Sequence, residues 1–451
     1  MKNLFQVYVL MLLIVSCTNE SQIDYALISG QISNMKGDKV TLYKGAKEIT
    51  ISLDKNGVFN DTLKNISAGY YSMGHGRERS SLFIMPGDQL IVKLDTKEFD
   101  ESIYYEGLGS ARNNYLAKKY LLDEEQTGSF LEFFKLEESE FSEKLNAINE
   151  AKVSLLYETA DLEKTFIELE SKNLHFEYLG LLNNYKNYHS YYAKKPDFEP
   201  SDEFLKPLKE VDIFNEEDYA TIESFKSFVQ NYLVQSIYES ENTKEELDQI
   251  ITQGSDLLKN DMAGMIAYQI APSNDNNEVL LNGVLAMSSD DKFKEQTTLK
   301  FNKVKTLAKG MPSPKFTDYE NHKGGTTSLD DLKGQYVYID VWATWCAPCK
   351  REIPYLKEIE KDYHGKNISF VSTSIDRAAD HNKWVDMVVN KELGGIQLFA
   401  DNDWNSKFVK DYAIEGIPRF ILVDPEGNIV SSDAPRPSDP KLLELFNELK
   451  I

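Results

Sequence analysis

The chain has 451 residues, so two or three domains are expected, and its 41% hydrophobic content is enough for packed cores. It carries 73 acidic and 50 basic residues, which gives a formal net charge of −23. Because phosphate binding needs a basic face, this balance argues against a nucleic-acid partner and is typical of a solvated acidic surface.

The amino terminus resembles a bacterial lipoprotein signal peptide over residues 1–16. It has a charged start and an apolar run too short to span a bilayer as a mature helix, and it ends in the letters IVS before Cys17. The resemblance implies cleavage before Cys17, lipidation of that cysteine and a lipidated tether over residues 17–24, because several acyl chains anchor a protein stably. Thr18 follows the cysteine, which by the usual sorting rule favours the outer membrane. An ordinary signal peptide or an uncleaved anchor is the alternative interpretation.

Residues 25–107 are predicted to form an all-β, sandwich-like domain. Apolar and polar residues alternate over residues 40–43 and 49–53, as in half-buried strands. Residues 54–57 read Asp-Lys-Asn-Gly, which predicts a hairpin whose second strand begins at Val58. Strands that recur roughly every ten residues favour a small sandwich.

Residues 110–307 are predicted to form a central α-helical region. Apolar residues recur there at helical spacing, for example Ile222, Phe225 and Val229. No chemistry can be assigned to this region from its residue types. A glycine and two prolines in residues 309–314 predict the linker into the next domain.

A strand, two cysteines and a helix are predicted between residues 336 and 361. Residues 336–341 are apolar, β-branched or aromatic, which predicts a buried strand, and residues 350–361 have apolar positions at roughly helical spacing. Cys346 and Cys349 therefore lie at the start of a helix, where free N–H groups and the helix dipole favour a thiolate. A thiolate is the nucleophile of disulfide exchange, so the placement predicts redox chemistry.

This arrangement resembles the thioredoxin fold, and in particular the TlpA/ResA-like thiol-disulfide oxidoreductases, over residues 311–451. Asp340 matches the buried acid of thioredoxin, and Glu352 matches a glutamate that the TlpA/ResA-like branch places near the cysteines. Residues 416–418 resemble the loop whose cis-proline faces the disulfide. Residues 376–400 resemble the extra helix and strand of that branch.

The resemblance implies a mechanism for the cysteine pair. Cys346 attacks a client disulfide, and Cys349, expected to be the more buried of the two, resolves the mixed disulfide with Asp340 or Glu352 as its base. No metal and no other cofactor is expected. A zinc half-site is the alternative for the pair, but three cysteines cannot make a four-cysteine site, and the six histidines show no paired spacing.

Three further residues are predicted to contact the client. Trp345 precedes the nucleophile and is expected on the contacting rim, and a cis bond between Ile417 and Pro418 would turn the backbone of Ile417 toward the client chain. The expected partners are proteins with disulfides and a membrane thiol donor of the DsbD type. The direction of electron transfer cannot be read from sequence, although the resemblance favours reduction.

The sequence thus predicts a multidomain fold: an N-terminal all-β sandwich-like domain, a central α-helical region and a C-terminal α/β thioredoxin-like fold. The first resembles a β-domain of unknown function that often precedes TlpA-like domains in envelope lipoproteins. The predicted function is a periplasm-facing thiol:disulfide oxidoreductase of the cell envelope. One alternative is a binding or scaffold lipoprotein with an ancillary redox domain. The other is a thiol peroxidase, which is disfavoured because Ile339 stands where that pattern needs proline.

Overall fold

The computed structural model describes residues 23–272 and 274–451. The predicted signal peptide and the lipidation site Cys17 lie outside the described residues. The chain divides into two compact units, one formed by residues up to Ile213 together with Thr221–Val229, the other by Phe214–Ala220 and Gln230–Ile451. Over the two described ranges, every helix is too short or too polar to cross a membrane.

The first unit begins with two antiparallel-rich sheets. Its strands are β1 (Tyr25–Ser33), β2 (Lys39–Lys44), β3 (Lys47–Ser52), β4 (Val58–Lys64), β5 (Gly69–His75), β6 (Glu78–Ile84), β7 (Gln89–Asp95) and β8 (Tyr104–Leu108). They form two four-stranded sheets of order β4-β1-β7-β8 and β3-β2-β5-β6. Alternate residues of β7 are buried, and side chains from both sheets share one core, which confirms the predicted sheet-rich region.

The predicted hairpin at residues 54–57 is wrong in its strand pairing. The turn itself forms, with the Asp54 carboxylate accepting the N–H of Asn56 at 2.8 Å and Gly57 at a φ of 77°. However, β4 pairs with β1 over seven residues, while β3 pairs with β2, so the turn carries the chain from one sheet to the other. The residues of the turn specify that the chain reverses its direction. They do not specify the partner of β4, which pairs with β1, a strand distant in the sequence.

Twelve helices precede the C-terminal sheet in the described residues; the first lies between β7 and β8, and the other eleven follow β8. They are α1 (Phe99–Ser102), α2 (Ser110–Thr127), α3 (Phe130–Lys135), α4 (Glu138–Glu158), α5 (Lys164–Tyr192), α6 (Asp202–Lys209), α7 (Glu216–Thr221), α8 (Glu223–Glu239), α9 (Thr243–Gln253), α10 (Asp256–Gln269), α11 (Asn277–Met287) and α12 (Asp291–Lys305). This stretch confirms the predicted central helical region.

Helix α2 is fixed to the first sheets by polar contacts. The Asn113 amide accepts the N–H of Phe83 at 2.7 Å and donates to its carbonyl at 3.0 Å, which satisfies the free edge of β6. Arg112 forms a buried ion pair with Asp88, with Nη2 and Oδ1 2.6 Å apart. These contacts join the helices of the first unit to its β-structure.

In the second unit, α9 to α12 form a capped helical group. Ser255 accepts the N–H of Leu258 at 3.2 Å, and Asp290 accepts the N–H of Phe293 at 3.1 Å, so α10 and α12 begin with side-chain caps. The buried residues that these helices share include Leu247, Ile250, Met262, Ile266, Leu280 and Val284.

The C-terminal part of the second unit is a seven-stranded mixed sheet with helices on both faces. Its strands are β9 (Tyr319–Asn321), β10 (Thr326–Thr327), β11 (Tyr336–Trp342), β12 (Ile368–Ser374), β13 (Ile396–Phe399), β14 (Arg419–Val423) and β15 (Ile429–Ser431). Its helices are α13 (Ala347–Asp362), α14 (His381–Asn390), α15 (Lys407–Asp411) and α16 (Lys441–Glu448). The order is β10-β9-β13-β12-β11-β14-β15, with β11, β12 and β13 parallel and β14 antiparallel to β11.

Strand β11 is the centre of this sheet and leads directly to the cysteines. Side chains on one of its faces, such as Ile339, enter one buried core, and Tyr338 on the other face enters a second. A strand buried on both faces explains the continuous apolar run in the sequence. The extra helix and strand expected over residues 376–400 are α14 and β13.

Candidate active site

The cysteine pair lies where β11 passes into α13. Cys346 is the N-cap of α13, and its Sγ accepts the N–H of Cys349 at 3.1 Å. The two residues are joined in a disulfide, with their Cα atoms 5.3 Å apart. Pro348 occupies the first turn, where its missing N–H costs no hydrogen bond. The predicted placement of the pair at a helix N-terminus is confirmed.

The pair is almost covered by its surroundings. Cys346 and Cys349 each expose 4% of their surface, so the expectation that Cys349 is the more buried residue is wrong. The carbonyl oxygen of Ile417 lies 3.8 Å from Cys346 Sγ, and the Ile417–Pro418 bond is cis, as the resemblance implies. The spacing of the two cysteines in the sequence therefore does not determine which of them is more buried. Cys346 is also covered by the loop at residues 416–418, which is distant in the chain.

Trp345 lies on the surface beside the pair. It is 53% exposed, and its ring lies 6.4 Å from that of Trp404. The indole next to Cys346 is therefore exposed, and its contact with a client stays a prediction.

Asp340 is a buried acid on β11, the strand that leads to the pair. It is 9% exposed, and its Oδ1 has no hydrogen-bond partner among the described residues. Burial, followed by the nearby charges of Glu352 and Glu360, raises the pKa of Asp340 to about 8. A hydrogen bond with Ser372 acts in the opposite direction. This carboxyl therefore exchanges its proton near neutral pH.

Glu352 lies on the buried face of α13, at 8% exposure, rather than on the helix surface. Its two carboxylate oxygens accept the backbone N–H and the hydroxyl of Ser438, both at 3.0 Å. Nη1 of Arg436 lies 3.9 Å from Oε1. These contacts hold a charge close enough to contribute to the raised pKa of Asp340.

Asp376, which was not predicted as a site residue, positions the loop before Cys346. Its carboxylate accepts the backbone N–H of Thr344 at 2.8 Å, the hydroxyl of Thr344 at 2.7 Å and the hydroxyl of Ser374 at 2.7 Å. The residue is 1% exposed. One signal was present, because an acid just after the carboxyl end of a parallel strand stands at the edge where sites form.

Glu360 was also missed by the sequence analysis. Burial raises the pKa of this carboxyl to about 7, while Lys357 and Lys323 act against the shift. Across the described parts of the chain, no cluster of three or more His, Cys, Asp or Glu side chains is arranged to hold a metal ion.

Comparison with known proteins identifies the class of this domain. Residues 308–445 match the family model described as Redoxin. The thiol-disulfide oxidoreductase ResA of Bacillus subtilis (strain 168) is 29% identical over 127 residues, which are 28% of this chain and 66% of that protein. ResA of Bacillus thuringiensis (strain Al Hakam) is 30% identical over 125 residues, 27% of this chain and 66% of that protein.

Among solved structures, the chain is similar to the thioredoxin domain of a thiol-disulfide oxidoreductase from Bacteroides vulgatus. The identity is 31%, the match covers 32% of this chain and 98% of that one, and the TM-score is 0.29.

The fold and the paired cysteines define a thioredoxin-like domain of the thiol-disulfide oxidoreductase class. More particularly, residues 308–445 are similar to the Redoxin family, and ResA proteins are among the relatives of this region. This chain spans 66% of the length of the two ResA relatives.

Proposed function

We propose that this protein is a thiol:disulfide oxidoreductase of the cell envelope that reduces disulfides in client proteins through Cys346 and Cys349. The observation that carries the proposal is the position of Cys346 Sγ at the N-terminus of α13, on the N–H of Cys349. That donor and the helix dipole stabilise a thiolate, the reactive form in disulfide exchange.

In the first step, the Cys346 thiolate attacks one sulfur of a client disulfide. A bond forms between Cys346 Sγ and that sulfur, and the other client sulfur leaves as a thiolate and takes a proton. In the second step, the Cys349 thiolate attacks Cys346 Sγ, and the first client sulfur leaves and is protonated in turn. The client gains two electrons and two protons, and the enzyme pair becomes the disulfide that the structure contains.

The second step requires a base for the Cys349 thiol. We assign this role to Asp340, acting directly or through water, because its pKa of about 8 leaves it able to exchange a proton under physiological conditions. Glu352 supports that role, since its charge is the second cause of the raised pKa of Asp340. The redox group is the cysteine pair itself, with no organic cofactor and no metal.

The proposed location and partners follow from the amino-terminal signal and the chemistry. Lipidation at Cys17 would anchor the chain to a membrane, facing the periplasm and favouring the outer membrane by the residue that follows. Each turnover consumes two electrons, so a thiol donor must reduce the Cys346–Cys349 disulfide. A membrane thiol-transfer protein of the DsbD type is the proposed donor, and Trp345, Ile417 and Pro418 are the proposed client contacts.

Insulin reduction by dithiothreitol, followed as turbidity, tests this proposal. The protein should accelerate the reaction, and Cys346→Ser should abolish the acceleration, because the sulfur that attacks the client disulfide is removed. Cys349→Ser should instead accumulate a mixed disulfide on Cys346 that a non-reducing gel and mass spectrometry identify. A protein that only binds partners would leave the insulin rate unchanged. A thiol peroxidase would instead consume peroxide in a Cys346-dependent manner.

A further inference from the structure

A cleft of about 650 Å³ opens within the second unit beside the loop at residues 416–418. One wall comes from α8, α10, α11 and α12, and the other from the redox domain. The residues that define the two walls include Ile237, Leu280 and Val304 on the helical side and Gly416, Pro418 and Arg419 on the redox side. The helices that the redox mechanism leaves without a task therefore face the redox loop.

The cleft borders the loop that contacts the proposed catalytic centre. The carbonyl oxygen of Ile417 lies 3.8 Å from Cys346 Sγ, and the residues on either side of Ile417, Gly416 and Pro418, both line the cleft. A chain bound to Cys346 and extending past this loop would enter the cleft within one or two residues.

The helical wall offers an apolar surface with an aromatic rim. Ile237, Leu280 and Val304 are 7%, 2% and 3% exposed, so their side chains are held by the core beneath. At the rim, Tyr238 is 82% exposed and Tyr268 is 74% exposed. Tyrosine is one of the residue types enriched among those that contribute most to the binding energy of protein interfaces.

The charges in the cleft are largely paired with one another. Nζ of Lys300 lies 3.8 Å from Oε2 of Glu415, which joins the helical wall to the redox loop. Nη1 of Arg419 lies 2.9 Å from Oδ1 of Asp433. Asp275 adds one further acid to the lining. A cleft with no excess of positive charge and a single extra acid does not select a strongly charged ligand, and its mixed polar and apolar lining suits an uncharged polypeptide segment.

We propose that this cleft is the docking groove for the client polypeptide, deepening the proposed function on which it rests. The segment next to the client cysteine lies in the groove in extended form, and an apolar or aromatic side chain of that segment packs against Ile237, Leu280 and Val304. Tyr238 and Tyr268 close over it from the rim. Helices α8 to α12 are thus a client-recognition element, and a small disulfide that reaches only Cys346 makes no use of them.

Paired kinetics with a polypeptide and a small disulfide test this assignment on the full chain. The reduced protein reacts with insulin and with the small disulfide 5,5′-dithiobis(2-nitrobenzoate), and the ratio of the two second-order rate constants is compared between variants. The variant Tyr238→Ala/Tyr268→Ala should lower the insulin-to-reagent ratio about tenfold, since two rim anchors for the polypeptide are removed. Both rings are largely exposed, so folding should be preserved, which circular dichroism checks.

The matched control is Tyr191→Ala, which removes a tyrosine that is 77% exposed in the first unit and should leave the ratio unchanged. An unchanged ratio in the double variant would overturn the groove while leaving the proposed reductase intact. If the wild type reacts with neither substrate, the proposed function itself fails.

A second measurement identifies the occupant directly. A photo-cross-linking amino acid is placed at Tyr268 in the Cys349→Ser protein, and insulin is trapped on Cys346 before illumination. A covalent bond between residue 268 and insulin supports the groove. Cross-links that form only between two copies of this chain would overturn it.

Discussion

Replacing Asp340 with asparagine should remove a pH dependence of stability from the redox domain. The carboxyl has a pKa of about 8 in the folded protein, against about 3.9 for an unperturbed aspartate. Below the lower pKa the carboxyl is protonated in both the folded and the unfolded chain, and its burial then costs no stability through ionisation. Between the two values the unfolded chain releases a proton that the folded chain keeps, so stability falls as pH rises, and the loss is complete above the folded pKa.

The magnitude follows from the shift. One proton of difference between the states is worth about 1.4 kcal/mol per pH unit, so the wild type should lose about 3 kcal/mol between pH 5 and pH 7. The whole loss is on the order of 5 kcal/mol across the interval. Asp340→Asn cannot ionise, and its advantage over the wild type should therefore grow with pH by those amounts.

Denaturant unfolding of the oxidised full chain, followed by tryptophan fluorescence at several pH values, measures this difference. The signal belongs to the redox domain, because that domain contains all four tryptophans: Trp342, Trp345, Trp384 and Trp404. The exposed Asp362 at the end of α13 supplies the control, since Asp362→Asn should leave the slope of stability against pH as in the wild type. Parallel curves for the wild type and Asp340→Asn would refute the reasoning.

Three further predictions concern the surroundings of the site and the first unit. Glu352→Gln should lower the pKa of Asp340, because a raising charge is lost, and the upper end of the pH-dependent stability loss should move to lower pH in the same fluorescence assay. Asp376→Ala should cost about 1–3 kcal/mol in that assay, since the donors of Thr344 lose their acceptor, and it should slow insulin reduction; unchanged stability and rate would contradict the positioning role. Arg112→Met should destabilise the first unit by about 3–5 kcal/mol, measured by far-ultraviolet circular dichroism in denaturant, because Asp88 is left as an unpaired buried charge. A loss below about 1 kcal/mol would show that the pair contributes little.

Those parts of the redox site that are local in the chain could be predicted from the sequence. The strand, the cysteine pair and the helix follow one another within a short segment, and hydrophobic periodicity and the start of the helix are local properties. The buried acid Asp340 was recognisable because it interrupts an apolar strand. The relative burial of Cys346 and Cys349 could not be predicted in this way, because it depends on Ile417, which is distant in the chain.

Contacts between distant segments account for what was missed. Ser438, which holds Glu352, lies 86 residues away from it, and Asp376 lies 32 residues from Thr344, so no local pattern indicates either pair. In the helical region, apolar periodicity marks which face of each helix is buried but not which helix it meets. The sequence therefore did not predict that this region is divided between two compact units. It also did not predict the cleft that the second part of the region helps to form.

The turn after β3 has a consequence for production of the protein. Because it sends the chain to the other sheet, β1 is an interior strand, flanked by β4 and by β7. One of its hydrogen-bonding edges can pair once β4 has been made, but the other stays open until the segment ending at Asp95 follows, so a chain emerging from a ribosome carries a half-paired strand near its leading end. Shortening the chain from the amino end past Ser33 would remove the middle of a sheet, so any truncated form intended for expression should start before Tyr25.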